Sequence, residues 1–487
     1  GLSGLAGVGV VVVAVASRRR KATRVAWPVA HSARLRWREW AALALLALGL
    51  LAVKALVIDQ TETPLRAATG PRLRAEEVAA IGSAEMRLEG ARPATARVAA
   101  GETFDINMAW RLVAPATTDY QTEVWLEDAD GLVWSVKGTE RPRVFEDAPP
   151  TRQWAVGEWG WDSREVRVLS GAPPGDYAVV MTLFDKATLQ PATLSNAGSG
   201  AVLGPTAIIG HVTVVNPRRA QPPEAQYPLD AAVPDTGLRL LGYNQDRAAA
   251  APGDPVLLTL FLACDGLGDC ARVRLQLLDE AGERRGVWDV PAIRAGLPAE
   301  SWPAGGFLRG QHLLSLPRDL ATGRYRFTLN GLPLGEISVT APDRQFTAPP
   351  LAVELNAPFT APDPVATLLG IATSPQPSCT PAPPLFCLPL VWRADGEPEV
   401  AYRVFVHLVD AAGNIIAQSD AAPANWTRPA TGWLAGEVIV DTHALTLPEP
   451  FPVGPLTLRV GLYDPDTNAR LTSGASDFVA IPWPVAP

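Results

Sequence analysis

A single pattern recurs three times along this chain and restricts most of it to paired β-sheets. Three aspartates, Asp128, Asp279 and Asp410, are each followed three residues later by a glycine, Gly131, Gly282 and Gly413. The positions six, four and two residues before each aspartate read Thr122/Val124/Leu126, Val273/Leu275/Leu277 and Val404/Val406/Leu408. The positions between them hold Glu123/Trp125, Arg274/Gln276 and Phe405/His407. Alternation with a period of two predicts a strand with one buried face, running into an Asp-x-x-Gly turn.

The repeat continues downstream. A tryptophan opens a W-x-x-G turn in each copy, at Trp154, Trp302 and Trp433, and a further glycine follows 21 residues after it, at Gly175, Gly323 and Gly454. Between these markers lie Val166/Val168, Leu314/Leu316 and Leu445/Leu447, and after them come the alternating strands Tyr177/Val179/Met181, Tyr325/Phe327/Leu329 and Leu456/Leu458/Val460. Upstream, each copy begins near an apolar segment with a glycine, Gly90, Gly242 or Gly370. About seven short strands per copy, each with one face to cover, predict two antiparallel sheets packed face to face. The fold class expected is therefore all-β, three tandem immunoglobulin/fibronectin-like β-sandwich domains preceded by two transmembrane helices, with a jelly-roll as the alternative sandwich. The expected boundaries are β-sandwiches at 81–216, 235–341 and 365–487. Proline-rich linkers at 217–234 and 342–364 separate them as semi-extended spacers.

Charge places the N-terminal region at a membrane. Residues 1–58 hold nine basic side chains against Glu39 alone, +8, so the remainder carries −16 of the total −8. Residues 1–17 are apolar and uncharged, 18–40 form a basic loop, and 41–58 are apolar with Lys54 near the end. Two transmembrane helices joined by a cytoplasmic basic loop are expected, with 59–80 as a linker and everything after about residue 59 extracytoplasmic. The first run carries its charges after the apolar stretch rather than before it, which reads as a helix of a longer polytopic protein more than as a signal peptide. The acidic remainder repels phosphate backbones, so nucleic acid is excluded as a partner.

Cys264/Cys270 and Cys379/Cys387 form two close pairs that suit disulfides in an oxidising compartment. Neither pair has zinc-ligand spacing, and the five histidines lack it too. No nucleophile elbow, phosphate loop or dinucleotide fingerprint occurs, so no catalytic residue, metal or cofactor is assigned; a pair of distant carboxylates stays open. Asp464-Pro-Asp466-Thr-Asn468 reads as a turn, lacking the later ligands of a calcium loop. His407 reads as a surface side chain. The recurring tryptophans suggest a shared structural anchor, whereas Trp159, Trp161 and Trp426, which do not recur, are the candidates for stacking on sugar rings.

The modules containing LRLLGY, PGD, VFVHLVDAAG, W-x-x-G-E and GLYD-x-x-T, placed after a basic loop, an apolar run and Asp59-Gln-Thr-Glu-Thr-Pro, give the chain a family likeness. It resembles the C-terminal part of Chloroflexi-type membrane glycosyltransferases of the dolichyl-phosphate-mannose–protein mannosyltransferase class. The resemblance implies that catalysis on a lipid-linked sugar sits in a multi-helix domain absent here. The sandwiches would then be a non-catalytic appendage binding acceptor or envelope glycan. The alternative is a membrane-anchored surface stalk or adhesion module that binds carbohydrate or protein.

Overall fold

Apolar alternation becomes strand wherever the repeat predicts it. In the computed structural model, residues 37–54, 81–140, 150–265, 268–373 and 384–484 are described. The chain divides into two compact units, 1–67 and 68–487.

Among its described residues the second unit has six sheets and three large apolar cores. In the first segment, 81–215, one sheet has the order Val202–Gly204, Leu194–Asn196, Ile81–Gly82, Met86–Pro93, Thr103–Leu112, Trp159–Arg167. The other runs Arg97–Ala99, Thr206–Val215, Gly175–Asp185, Tyr120–Glu127, Gly138–Glu140. The second segment, 227–339, pairs Tyr227–Ala232, Leu238–Gln245, Pro255–Cys264 and Leu308–Ser315 in one sheet. Its other sheet contains Ala249–Ala250, Leu332–Val339, Gly323–Leu329, Arg272–Leu278 and Arg284–Pro291. In the third segment, 351–483, the sheets are Leu351–Ala361, Asp363–Ala372, Leu385–Ala394, Val438–Thr446 and Ile415–Ala421, Arg403–Val409, Leu456–Tyr463, Val479–Trp483. Each core lies between its two sheets, so the β-sandwich expectation is met at that level.

The repeated turn residues do the same work in each segment. The Oδ1 atoms of Asp128, Asp279 and Asp410 each accept two backbone N–H groups from the turn they open. Their glycines, Gly131, Gly282 and Gly413, sit at φ 77, 80 and 88, a conformation L side chains rarely take. The upstream glycines mark β-bulges, with register shifts at Leu88/Gly90, Leu240/Gly242 and Leu368/Gly370. At Gly370 a Cβ would stand 2.0 Å from the Val353 carbonyl oxygen, so only glycine fits between the paired strands. Tyr177 and Tyr325 donate from their hydroxyls to the carbonyls of Pro173 and Ala321, four residues upstream, at 2.7 and 2.9 Å.

Trp110 and Trp392 occupy matching core positions, paired across the sheet with Leu88 and Leu368. Both are fully buried, and both indole N–H groups lack a partner. Leaving such a donor unpaired costs about 1–3 kcal/mol, while burying 150–250 Å² of ring returns about 4–6 kcal/mol, so packing wins.

Two expectations are corrected. The stretches 217–234 and 342–364 are not simple spacers, because Tyr227–Ala232 and Leu351–Ala361 within them are edge strands. Proline is tolerated there since an edge strand leaves half its N–H groups unpaired. Nor are the segments held apart. Arg309 Nε donates to Ser170 O at 3.0 Å, Gln311 Nε2 to Val133 O at 2.9 Å, and Arg294 to Pro174 O across the first joint. Across the second, Arg318 donates to the Thr431 and Pro398 carbonyls, both at 2.7 Å, and Arg344 donates to Gly432 O at 3.1 Å.

In the first unit, a 17-residue helix, Trp37–Val53, covers part of the expected 41–58 span. At 1.5 Å per residue it extends roughly 26 Å. Among the described residues no helix is long and apolar enough to cross a membrane. The expected 1–17 span and residues 55–58 lie outside the described residues. Leu45, Leu46, Leu48, Leu50 and Leu51 on this helix are each at least 60% exposed.

Candidate functional site

The recurring tryptophans are anchors. Trp433 is fully buried and donates from Nε1 to Arg428 O at 3.0 Å; Trp154 is buried, and Trp302 packs against the second core. The residue after the W-x-x-G turn explains two of the copies. Glu158 and Glu437 fold back to accept the N–H of Ala155 at 2.8 Å and of Leu434 at 3.1 Å. Glu437 is completely buried and lies between the guanidinium groups of Arg344 and Arg428.

The three non-recurring tryptophans fall on two segments. Trp159 opens the strand Trp159–Arg167, half-buried, with the Arg111 guanidinium 5.6 Å from its ring centre. Trp161 is on the same strand, its backbone in register with Ala109. Trp426 belongs to the third segment, so Trp159 and Trp426 do not share one platform.

Trp426 stands out by how it is presented. Ala424, Asn425 and Trp426 are successive residues in the left-handed region, at φ 51, 52 and 71. Each non-glycine residue there costs roughly 1–2 kcal/mol. The turn is closed by Trp426 N donating to Ala422 O at 2.9 Å, and Thr427 Oγ1 to Ala424 O at 2.7 Å. It is tied to the sandwich through Ala424 N, which donates to Asp441 Oδ1 at 2.8 Å. The indole is 57% exposed, with the Arg403 guanidinium 4.9 Å from its centre. A strained turn that holds a large apolar ring in water costs stability, and strain of this kind clusters at ligand-binding sites.

A second concave feature lies on the outer face of the first segment, a groove of about 950 Å³. Register defines its floor. Val180 and Ile208 are paired in one row across the sheet, and Glu127, Ala178 and His211 form the next. The hairpin formed by Leu194–Asn196 and Val202–Gly204 contributes Asn196 and Leu203 to the wall. The acids are held in place. Glu127 Oε2 accepts Trp125 Nε1–H at 2.8 Å, Asp128 Oδ2 accepts Trp134 Nε1–H at 2.6 Å, and Asp176 Oδ1 accepts Thr213 Oγ1–H at 2.6 Å. Fixed carboxylates beside an apolar floor suit a neutral polyhydroxyl ligand, and they repel anions.

A buried polar position that the sequence reading missed links the three segments. Eight and ten residues after the recurring tryptophan, on the core-facing side of one strand, stand Asp162/Arg164, Gly310/His312 and Asp441/His443. In the first segment Arg164 Nε meets Asp162 Oδ1 at 2.8 Å and Thr122 Oγ1 donates to Asp162 Oδ2 at 2.9 Å. In the third, His443 lies between Asp441 Oδ2 and Ser419 Oγ, 2.9 Å from each. That order of Ser, His and Asp is the bonding order of a hydrolytic triad. The histidine and aspartate are only 2% and 1% exposed, out of a substrate's reach, and the matching site in the first segment is an equally buried ion pair that takes the Thr122 hydroxyl. The arrangement is therefore structural. In the second segment the acid is replaced by Gly310, where a Cβ would meet Ala292 O at 2.3 Å, and burial pushes His312 down to about 4. The visible signal was a polar residue ten positions after the tryptophan, on the buried phase of a strand, in all copies, joined in the first and third by an aspartate two positions earlier.

Cys264 and Cys270 form a disulfide. Cys379 lies outside the described residues, so the pairing Cys379–Cys387 is not described. Asp464 caps a turn, accepting Asp466 N–H at 2.9 Å and Thr467 Oγ1–H at 2.7 Å. His407 differs from its expectation as a plain surface group: its side chain is 14% exposed and 3.6 Å from Asp420. Among the described residues no cluster of three His, Cys, Asp or Glu is placed to hold a metal ion.

No protein-family model matches the chain, and no curated protein does. Among solved structures, the C-terminal domain of wzt is 11% identical with a TM-score of 0.21, over 33% of this chain and 89% of that one. Dimeric latent PorU from Porphyromonas gingivalis is 12% identical, TM-score 0.19, over 82% of this chain and 34% of that one. Trypsin-activated alpha-2-macroglobulin from Escherichia coli is 10% identical, TM-score 0.16, over 83% of this chain. The chain spans about a third of PorU and 24% of that macroglobulin. Likenesses at these scores carry nothing about ligand or activity.

Proposed function

We propose that the chain holds a non-catalytic array of three tandem immunoglobulin/fibronectin-like sandwiches outside the cytoplasm. The array is attached to a membrane and binds acceptor or envelope glycan for a lipid-linked-sugar glycosyltransferase system. The observation that carries the binding part is Trp426, an exposed indole fixed on three consecutive left-handed residues. Indole faces stack on pyranose rings, and fixing the ring in advance removes its ordering cost.

The finer fold reading is supported by topology. In each segment three successive antiparallel strands of one sheet, such as Met86–Pro93, Thr103–Leu112 and Trp159–Arg167, face a sheet led by strands such as Tyr120–Glu127, Gly175–Asp185 and Thr206–Val215. The hydroxyls of Tyr177 and Tyr325, bonded four residues back, match the tyrosine corner of such sandwiches. Membrane attachment is supported by the helix Trp37–Val53, whose exposed leucines find no core among described residues. The Cys264–Cys270 disulfide suits an extracytoplasmic site.

A second reading, a surface module that binds protein, draws on the same Trp426–Arg403 pair, since Trp and Arg dominate protein hot spots. A glycan array probed with the full chain in detergent, beside its Trp426→Ala variant, separates them. We expect a glycan signal that falls at least tenfold in the variant. Absence of signal on every glycan, or a signal that Trp426→Ala leaves unchanged, overturns the glycan reading.

A further inference from the structure

Between the first and second segments lies a cleft of about 580 Å³, away from Trp426 and from the outer groove. Its walls include Gln226, Asn244, Gln245, Thr259, Arg309 and Gln311. Four of these are almost completely buried: Arg309 is 6% exposed, Thr259 5%, Gln245 9% and Gln311 9%.

Arg309 is the unusual member. Its guanidinium stacks over Phe261, 4.8 Å from the ring centre, and its Nε donates to Ser170 O at 3.0 Å. Among the described residues its two Nη groups make no hydrogen bond, and no carboxylate lies within 4.0 Å. The two acids lining the cleft are already engaged, Glu224 with Arg167 and Asp246 with Arg247. Burial pushes the Arg309 guanidinium down to about 10, so it is still charged at neutral pH. Glu224, shared with Arg167, attracts it only from beyond contact distance, and a buried cation with no carboxylate in contact costs several kcal/mol. Holding the Ser170 carbonyl requires one N–H donor, not a charge.

We infer that this cleft binds an acidic saccharide, with its carboxylate on Arg309 and its hydroxyls on the surrounding amides and Thr259. A planar guanidinium with free Nη groups meets a carboxylate in a bidentate fork. Gln245 Nε2 and Gln311 Nε2 are spent on the carbonyls of Arg247, Glu336 and Val133, so the Thr259 hydroxyl and the remaining amide atoms of Gln226 and Gln311 supply the donors and acceptors that vicinal hydroxyls require. The volume takes a sugar of one or two rings. The inference goes beyond the role given to Trp426, because a neutral glycan on that indole needs no cation.

The test is calorimetric titration of the full chain in detergent at pH 7 with glucuronate, glucose and inorganic phosphate. Glucuronate is expected to bind at least tenfold more tightly than glucose or phosphate. Arg309→Gln should erase that preference. Thr259→Val, which leaves the contact between Arg309 and Ser170 in place, should weaken glucuronate several-fold and covers the case in which the arginine variant loosens the joint. Equal binding of glucose and glucuronate overturns the inference. So does phosphate binding more tightly than glucuronate, which marks a plain anion site, or glucuronate binding that survives both substitutions.

Discussion

His312 gives the second segment a pH dependence that one substitution can isolate. The imidazole is 6% exposed in the core, and burial holds it at about 4 against an ordinary 6.5, with the Ala292 carbonyl only partly opposing the shift. The unfolded chain therefore takes up its proton near pH 6.5, while the folded chain resists until about pH 4. Stability from this group is complete above pH 6.5 and is lost as the pH falls from there toward 4. Each pH unit inside that window is worth about 1.4 kcal/mol, so moving from pH 7 to pH 5 removes about 2 kcal/mol. Other groups titrate over the same range, so the comparison must be internal: His312→Gln keeps a polar side chain but takes up no proton. Hydrogen exchange at the amides of Leu308–Ser315, corrected for intrinsic rates, reads the opening of this strand rather than of the whole chain. The wild type should lose about 2 kcal/mol more than the variant between pH 7 and pH 5. An equal loss in both proteins, or direct titration of His312 near 6.5, refutes the reasoning.

Two further outcomes are expected. Glu437→Gln removes the charge that Arg344 and Arg428 share inside the third segment; it should cost about 3–5 kcal/mol and speed proteolysis between residues 341 and 350, and an unchanged urea midpoint with unchanged cleavage would dismiss the clamp. Ala424→Gly relieves a left-handed φ of 51 and should raise stability by about 0.5–1 kcal/mol, whereas a lower melting temperature would show that the turn is not under strain.

Much of the fold was legible because it rests on local rules. Period-two alternation at Val124, Leu275 and Val406 and the glycines of the Asp-x-x-Gly turns depend on neighbours within a few residues, and each sits where expected. The recurring tryptophans were legible as anchors for the same reason. What was hidden depends on partners distant in sequence. Arg309 shows no sign in the sequence that it will stack on Phe261 and meet Ser170, which lies 139 residues away. The outer groove needed the register of Ala178 with Glu127 and His211, which no single strand reveals. The edge strands Tyr227–Ala232 and Leu351–Ala361 were read as spacers because proline outweighed a short, weak alternation. The polar residues at 162, 164, 312, 441 and 443 were readable in principle, since their offsets from the tryptophan are constant, but apolar patterning alone passes over them.

The joints between segments are made mainly by arginine side chains donating to main-chain carbonyls, at Ser170, Pro174, Thr431, Pro398 and Gly432. A carbonyl is supplied by whatever residue stands there, so the accepting surface tolerates substitution as long as its backbone path is kept. The donating residues have less freedom at Arg318 and Arg344, where two donors of one guanidinium reach two carbonyls at once, a fork that lysine cannot reproduce. Sequence drift should therefore be lopsided at the second joint, free on the accepting side and arrested at Arg318 and Arg344 on the other.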